Sequence, residues 1–252
     1  MPISVGRTAF TALLGFFISI VRAEAMDWGH FYVLLAATSD DRYYGFSRSD
    51  RKPMIQGDLH WQMPDDFYLG IFGTGARYRD GRNTSYELDF YGGKHFEIDG
   101  SDLNLGLLYA TFPNSTGYAD YVGPYYIFPT YNFVEGSAEL SHTFGKLTVS
   151  GKLVTSPAYS SGVGPMWDVD GAVKYALTNW LSIGGGAGHQ WMERIPNRTH
   201  WDFGATATWL TDFGRWQFDL RYHATDVSIA DCYNTNWCAP AVVGTITYAF
   251  GG

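Results

Sequence analysis

The sequence lacks any apolar run long enough for a membrane helix. Its longest uncharged apolar stretch is 9–21, 13 residues, against the about 20 that a spanning helix needs. Charge is also scarce. Asp, Glu, Lys and Arg make up 17% of the chain, where soluble domains carry about 25%. Cysteine is limited to Cys232 and Cys238, with no His or third Cys nearby, which argues against a metal site there. No Gly-x-Ser-x-Gly element occurs, so there is no nucleophile elbow. The glycine run 184–186 has no Gly-Lys-Ser/Thr after it, which excludes a phosphate loop.

What is present begins with an export signature. Arg7 precedes the apolar stretch, and Ala23-Glu24-Ala25 follows it as an A-x-A cleavage site. That arrangement reads as a signal peptide over residues 1–25, cleaved to leave a mature chain 26–252. Without Arg7, Arg22 and Glu24 the mature chain keeps 15 of 17 basic and 24 of 25 acidic residues, a net charge of −9. Such a balance gives no support to nucleic-acid binding. In an exported protein the two cysteines are expected to pair as a disulfide, closing a loop small enough for only modest stabilisation.

The rest of the chain alternates. Leu59 and Trp61 are interleaved with Asp58, His60 and Gln62; Tyr86, Leu88 and Phe90 with Glu87 and Asp89; Trp216, Phe218, Leu220 and Tyr222 with Gln217, Asp219, Arg221 and His223. Period-two patterning of this kind marks strands with two unlike faces. Twelve strands are predicted, at 28–39, 53–64, 66–77, 84–97, 101–112, 131–144, 146–157, 166–178, 180–192, 199–211, 214–226 and 241–250. Most are longer than the about 5–6 residues usual in globular sheets, and long enough for the about 9–11 of a tilted membrane strand. The connections alternate short and long, with short turns at 64–66, 99–100, 145, 178–179 and 211–213. Outer-membrane barrels have short periplasmic turns and longer external loops.

These features predict an all-β fold: a single transmembrane antiparallel up-and-down β-barrel of about 12 strands, with both ends of the mature chain periplasmic. Aromatics near strand ends, Trp28, Trp61, Phe67, Phe144, Trp167, Trp180, Trp201 and Trp216, suit an interfacial girdle. Val242, Ile246, Tyr248 and Phe250 share a face of the last strand, as in the closing strands of such barrels, although Gly251-Gly252 follow the final aromatic.

Residues 39–50, Ser-Asp-Asp-Arg-Tyr-Tyr-Gly-Phe-Ser-Arg-Ser-Asp, followed by Lys52-Pro53 and Gln56-Gly57, resemble the N-terminal signature of the TorF family of proteobacterial porins. Weaker matches follow at Glu87-Leu88-Asp89-Phe90-Tyr91-Gly92, at 105–109 with Phe112-Pro113, at Ser156-Pro157-Ala158-Tyr159 and at the cysteine pair. The resemblance implies an outer-membrane pore for small solutes. It carries over no catalytic residue.

On the predicted register the interior holds Asp58 and His60 in the second strand, Glu87 and Asp89 in the fourth, and Glu135 and Glu139 in the sixth. It also holds Lys152 in the seventh, Asp168, Asp170 and Lys174 in the eighth, Asp202 in the tenth, and Asp219, Arg221 and His223 in the eleventh. Nine acids face three bases, which favours cations in a water-filled lumen. The alternative is a closed barrel whose charges pair internally, Glu87 or Asp89 with Lys152 for example. Twelve strands give a backbone diameter of about 24 Å, reduced to about 12 Å by side chains. Residues 114–130 are long enough to fold inward and narrow it further.

A lipid hydrolase is the enzymatic alternative. It needs a nucleophile and base in reach, and Ser141 and His142, being adjacent, point to opposite faces. His189, His200 and His223 have hydroxyls in their neighbourhood. Asp168-Val169-Asp170-Gly171 resembles the start of a calcium loop, but Asn179 stands where the loop needs Glu. The sequence therefore predicts no enzyme, no catalytic or metal-binding residue and no cofactor. The expected function is passive passage of small cationic, zwitterionic or neutral polar solutes, with a structural or adhesive barrel as the alternative. The expected location is the outer membrane of a Gram-negative cell, and the expected state a monomer. Its partners would be outer-membrane lipid, lipopolysaccharide and the barrel-assembly machinery.

Overall fold

Strands dominate because large apolar and polar residues alternate through most of the chain. The computed structural model describes residues 29–78, 84–115, 121–122, 125–126, 131–232 and 235–251. The expected signal segment and Trp28 lie outside them. The strands in chain order are β1 (His30–Thr38), β2 (Arg42–Tyr43), β3 (Phe46–Ser47), β4 (Met54–Gln62), β5 (Phe67–Gly75), β6 (Tyr86–Ile98), β7 (Ser101–Thr111), β8 (Tyr121–Val122), β9 (Tyr125–Tyr126), β10 (Phe133–Phe144), β11 (Leu147–Tyr159), β12 (Gly164–Ala176), β13 (Leu181–Met192), β14 (Arg198–Thr211), β15 (Gly214–Thr225) and β16 (Ala241–Gly251).

Twelve of these close into one antiparallel barrel in which each strand pairs with its neighbours in sequence, and β1 pairs with both β4 and β16. The closing pair runs from Tyr32 opposite Gly251 to Thr38 opposite Thr245. Closure leaves no free edge in the barrel sheet. The two-residue pairs β2–β3 and β8–β9 lie outside the barrel sheet.

The outer surface is apolar. Leu107, Ile55, Phe203, Leu220 and Val242 are each more than half exposed. A soluble protein rarely leaves such a continuous apolar face to water. Aromatics gather toward both rims. Phe31 stacks on Trp61 with ring centres 5.5 Å apart, Trp216 lies 4.6 Å from Tyr248, and Trp209, Trp180 and Phe144 are exposed beside short turns. Trp167 and Trp191, opposite each other in register, stand toward the other rim. The girdle residues other than Trp28 thus lie on described strands or turns.

The polar face points inward, and all fourteen expected interior residues are buried or half-buried. The long loops emerge at one end. The first of them, 39–53, does not stay outside. The inward segment expected at 114–130 falls mostly outside the described residues, and the loop that enters the lumen is the one after β1.

Candidate functional site

The loop between β1 and β4 turns into the barrel because its own chemistry matches the wall. Residues 39–53 contain Arg42, Arg48, Arg51 and Lys52 and enter an interior rich in carboxylates. Most of residues 40–49 are as buried as a protein core: Ser49 is 0% exposed, Arg42 and Asp41 4%, Asp40 and Arg48 6%, while Lys52 and Pro53 stay exposed. Loops usually run over the surface because buried backbone needs partners. Here the partners are supplied. β2 pairs with β3, Arg42 opposite Ser47. The Arg48 N–H donates to the Asp41 carbonyl at 2.8 Å, and the Arg77 N–H to the Arg48 carbonyl at 2.7 Å.

The hairpin tip explains Gly45. Tyr44 and Gly45 have φ of 48° and 81°, the two left-handed positions of a tight hairpin turn. A side chain at 45 would also meet Thr225 Cβ at 2.8 Å and the Ala224 carbonyl oxygen at 3.0 Å. Asp50 and Arg51 are left-handed too, at 56° and 58°. They are held there because Ser47 Oγ accepts the Arg51 N–H at 2.7 Å and Trp237 Nε1 donates to Asp50 Oδ1 at 3.1 Å.

Asp40 organises the loop internally. Its carboxylate accepts from Arg42 Nε at 2.6 Å, Ser47 Oγ at 2.6 Å and Ser49 Oγ at 3.0 Å. Arg48 ties the loop to the wall, donating to Glu87 Oε2 of β6 at 2.7 Å while lying 3.1 Å from Asp41 Oδ2. Burial works against the Arg48 charge, but Asp41 and Glu87 outweigh it and hold the guanidinium well above its ordinary range. Tyr43 donates to Glu135 Oε1 of β10 at 3.0 Å. Burial, reinforced by the Glu135 charge, pushes the Tyr43 hydroxyl far up.

A second loop holds the plug from above. Cys232 and Cys238 form the expected disulfide and pack with Trp237 against Phe46, Tyr78 and Val227. Arg42 Nη1 donates to the carbonyls of Trp237 and Ala239 at 3.1 and 2.9 Å, and Arg51 Nη1 to that of Asn236 at 3.1 Å. The disulfide loop therefore presents carbonyl oxygens to the plug's arginines.

Beneath the plug lies an internal cavity of about 210 Å³. Asp58, His60, Glu135, Glu139, Lys152, Asp170, Asp219, Arg221 and His223 line it, joined by Asp40, Asp41, Arg42 and Arg48 of the plug. Seven acids thus face four Arg and Lys residues. Several charges are already engaged. Tyr91 donates to Asp58 at 2.7 Å, Arg221 pairs with Asp202 and with Asp219 at 3.2 Å, and His200 lies 3.2 Å from Asp168. Lys174 is half-buried near the short-turn end of β12.

The structure revises the internal pairing expected from sequence. Glu87 pairs with Arg48 of the plug, not with Lys152. Lys152 stands in register between Glu139 and Asp170. His142 meets Ser101 of β7 at 2.9 Å rather than its chain neighbour Ser141, and His189 meets Thr199 at 2.9 Å. Sequence reasoning missed Arg42, Arg48, Tyr43 and Tyr44 as interior groups. A signal existed: the most specific stretch of the family resemblance, 39–50, is the plug itself.

Solved structures share this architecture. A KdgM porin aligns with a TM-score of 0.53 at 6% identity, covering 88% of this chain and 98% of that one. An outer membrane channel from Pseudomonas putida F1 aligns at 0.54 and 13% identity, covering 91% and 97%. A NanC porin aligns at 0.50 and 10%, covering 87% and 97%. At these identities the likeness is one of fold, the outer-membrane porin fold in general, and it does not single out the TorF family. None of the curated proteins matches in sequence. The sequence model of the family described as "Bacterial protein of unknown function (Gcw_chp)" matches residues 24–250, and the chain belongs to that family.

Proposed function

We propose that the protein is an outer-membrane channel for ions and small polar solutes, narrowed at its external end by the loop 39–53. The observation that carries this reading is the pairing of a closed barrel and an apolar outer face with a charged cavity under a separately held plug. A lipid-exposed barrel must satisfy all its backbone groups internally, and this one does so by closure. Buried charges need water or partners, and the cavity supplies room for water. The plug limits passage to small solutes. The excess of acids among the lining residues favours cationic, zwitterionic or neutral species over anions. TorF-like uptake of a small solute is compatible with this geometry. Export by cleavage after Ala25, assembly by the outer-membrane machinery beside lipopolysaccharide, and a monomeric state belong to the same proposal.

A second reading, a barrel kept closed, is favoured by the Arg48–Glu87 tether. Planar-bilayer recording on purified, folded protein and on a variant lacking residues 40–52 separates the two. The channel reading expects small cation-preferring conductance in the intact protein and larger conductance without the plug. Silence of the intact protein with conduction by the deletion variant would favour the closed reading. Silence of both would overturn the channel.

A further inference from the structure

Three neighbouring strands bring together donors from distant parts of the chain. In register, Asp170 of β12 faces Gly188 of β13, which faces His200 of β14. One step along the same face, Asp168 faces Gln190, which faces Arg198. Asp170 and His200 are two strands apart, about 10 Å by strand spacing. Their side chains meet because the residue between them has none. A Cβ at Gly188 would overlap Asp170 Oδ1 and approach His200 Nε2 to 2.7 Å.

The donors converge tightly. His200 Nε2 lies 3.2 Å from Asp168 Oδ2 and 3.4 Å from Asp170 Oδ1, and one atom from each residue falls within 4.8 Å of the others. Asp168 and His200 are buried, at 0% and 9% exposure, and Asp170 is half-buried. Direct contacts satisfy the cluster only in part. Nε2 carries at most one proton, so it serves one carboxylate, and the Asp168 and Asp170 carboxyls also hydrogen-bond to each other. Asp168 Oδ1 has no hydrogen-bond partner, nor has either polar atom of the fully buried Gln190 beside it. Orphaned buried polar atoms are rare and mark a missing ion, water or functional role. Arg198 is stacked over Phe46 at 4.3 Å and Tyr44 at 5.5 Å, and Lys152 stands opposite Asp170 on β11.

We propose that Asp168, Asp170 and His200 form a binding site for a zinc-class divalent transition-metal ion, set in the barrel wall beneath the plug. The spacing suits that ion. Donors about 2.0–2.1 Å from a tetrahedral zinc stand about 3.3 Å apart, which the two His200 distances match. Imidazole with two carboxylates is a borderline donor set that favours zinc over calcium or magnesium, and calcium wants six to eight oxygens at about 2.3–2.6 Å. Three protein donors leave a fourth position. Asp170 also lines the cavity, and Tyr44 of the plug has its ring 5.1 Å from that of His200. No ligand set is expected from the sequence, because the convergence of Asp168, Asp170 and His200 depends on strand register.

The test is a Zn²⁺ titration of untagged, chelator-stripped, folded protein in detergent, by calorimetry and by competition with a chromophoric chelator. Heat-modifiable gel migration checks folding of each variant. One Zn²⁺ per chain is expected, undiminished by excess Ca²⁺ or Mg²⁺. Asp170→Asn and His200→Gln should each weaken it by about tenfold or more, the scale at which even outer partners of a metal ligand act. His142→Gln, in a remote strand, should leave it unchanged. Gly188→Ala should abolish binding by filling the point of convergence. Absence of stoichiometric binding in the wild-type protein, or undiminished affinity in folded His200→Gln, would overturn the site and leave a simple His–Asp hydrogen bond.

Discussion

Arg48 and Glu87 meet at 2.7 Å inside the barrel, one on a loop and the other on the wall, with side-chain exposures of 7% and 1%. The pair joins the loop after β1 to β6 inside the barrel. Asp41 shares the guanidinium from the loop side.

Breaking this pair should release the plug. Arg48→Met strands Glu87, and removing one partner of a buried ion pair costs about 3–5 kcal/mol. The double variant Arg48→Met/Glu87→Met should be less destabilised than Arg48→Met alone. Thermal unfolding and single-channel conductance check both points. A single variant as stable as the double one would contradict the assignment.

The hairpin tip makes a separate demand. Gly45→Val forces a β-branched residue to φ 81° against Thr225, in a region that costs non-glycine residues about 1–3 kcal/mol. The loop should become accessible to external protease while the barrel stays folded. An unchanged digestion pattern would mean that the tip is not held against β15.

Reduction of Cys232–Cys238 should loosen the plug without unfolding the barrel. A loop this short is stabilised by about 2 kcal/mol on chain-entropy grounds, and it carries the carbonyls that Arg42 and Arg51 use. Conductance recorded before and after a reductant is the readout, with an increase or more frequent opening expected. Identical traces would remove the loop from the gate.

The outer face predicts lipid contact. Leu107, 68% exposed at mid-β7, faces outward. Leu107→Arg in a bilayer should cost about 2–4 kcal/mol, whereas an exposed surface change in water stays within about 0.5 kcal/mol. Folding yield into lipid vesicles across a urea series separates these values.

Charge in the cavity should set ion preference. Glu139→Gln and Asp170→Asn each remove one acid from the lining. Reversal potentials under a salt gradient should shift toward anions in both, and further in the double variant. A reversal potential that does not move would place the current elsewhere.

Much of the fold was legible because a membrane barrel writes its two faces into every second residue. The alternation of Glu87 and Asp89 with Tyr86 and Phe90 put each side chain on its correct face, and predicted strand ends fall within two residues of the observed ones. The loop was read as external because length and turn residues say that a segment leaves the sheet, not where it goes. Its destination depended on Arg48 reaching Glu87, 39 residues away.

The sequence by itself determined the number of barrel strands, their inward and outward faces and their up-and-down order, because period-two patterning and turn chemistry act over a few neighbouring residues. Only the tertiary structure decided that Arg48 closes on Glu87, that the disulfide loop presents its carbonyls to Arg42, and that Asp168, Asp170 and His200 converge over Gly188. Those contacts follow from closure and register around the barrel, which set distances between residues far apart in the chain.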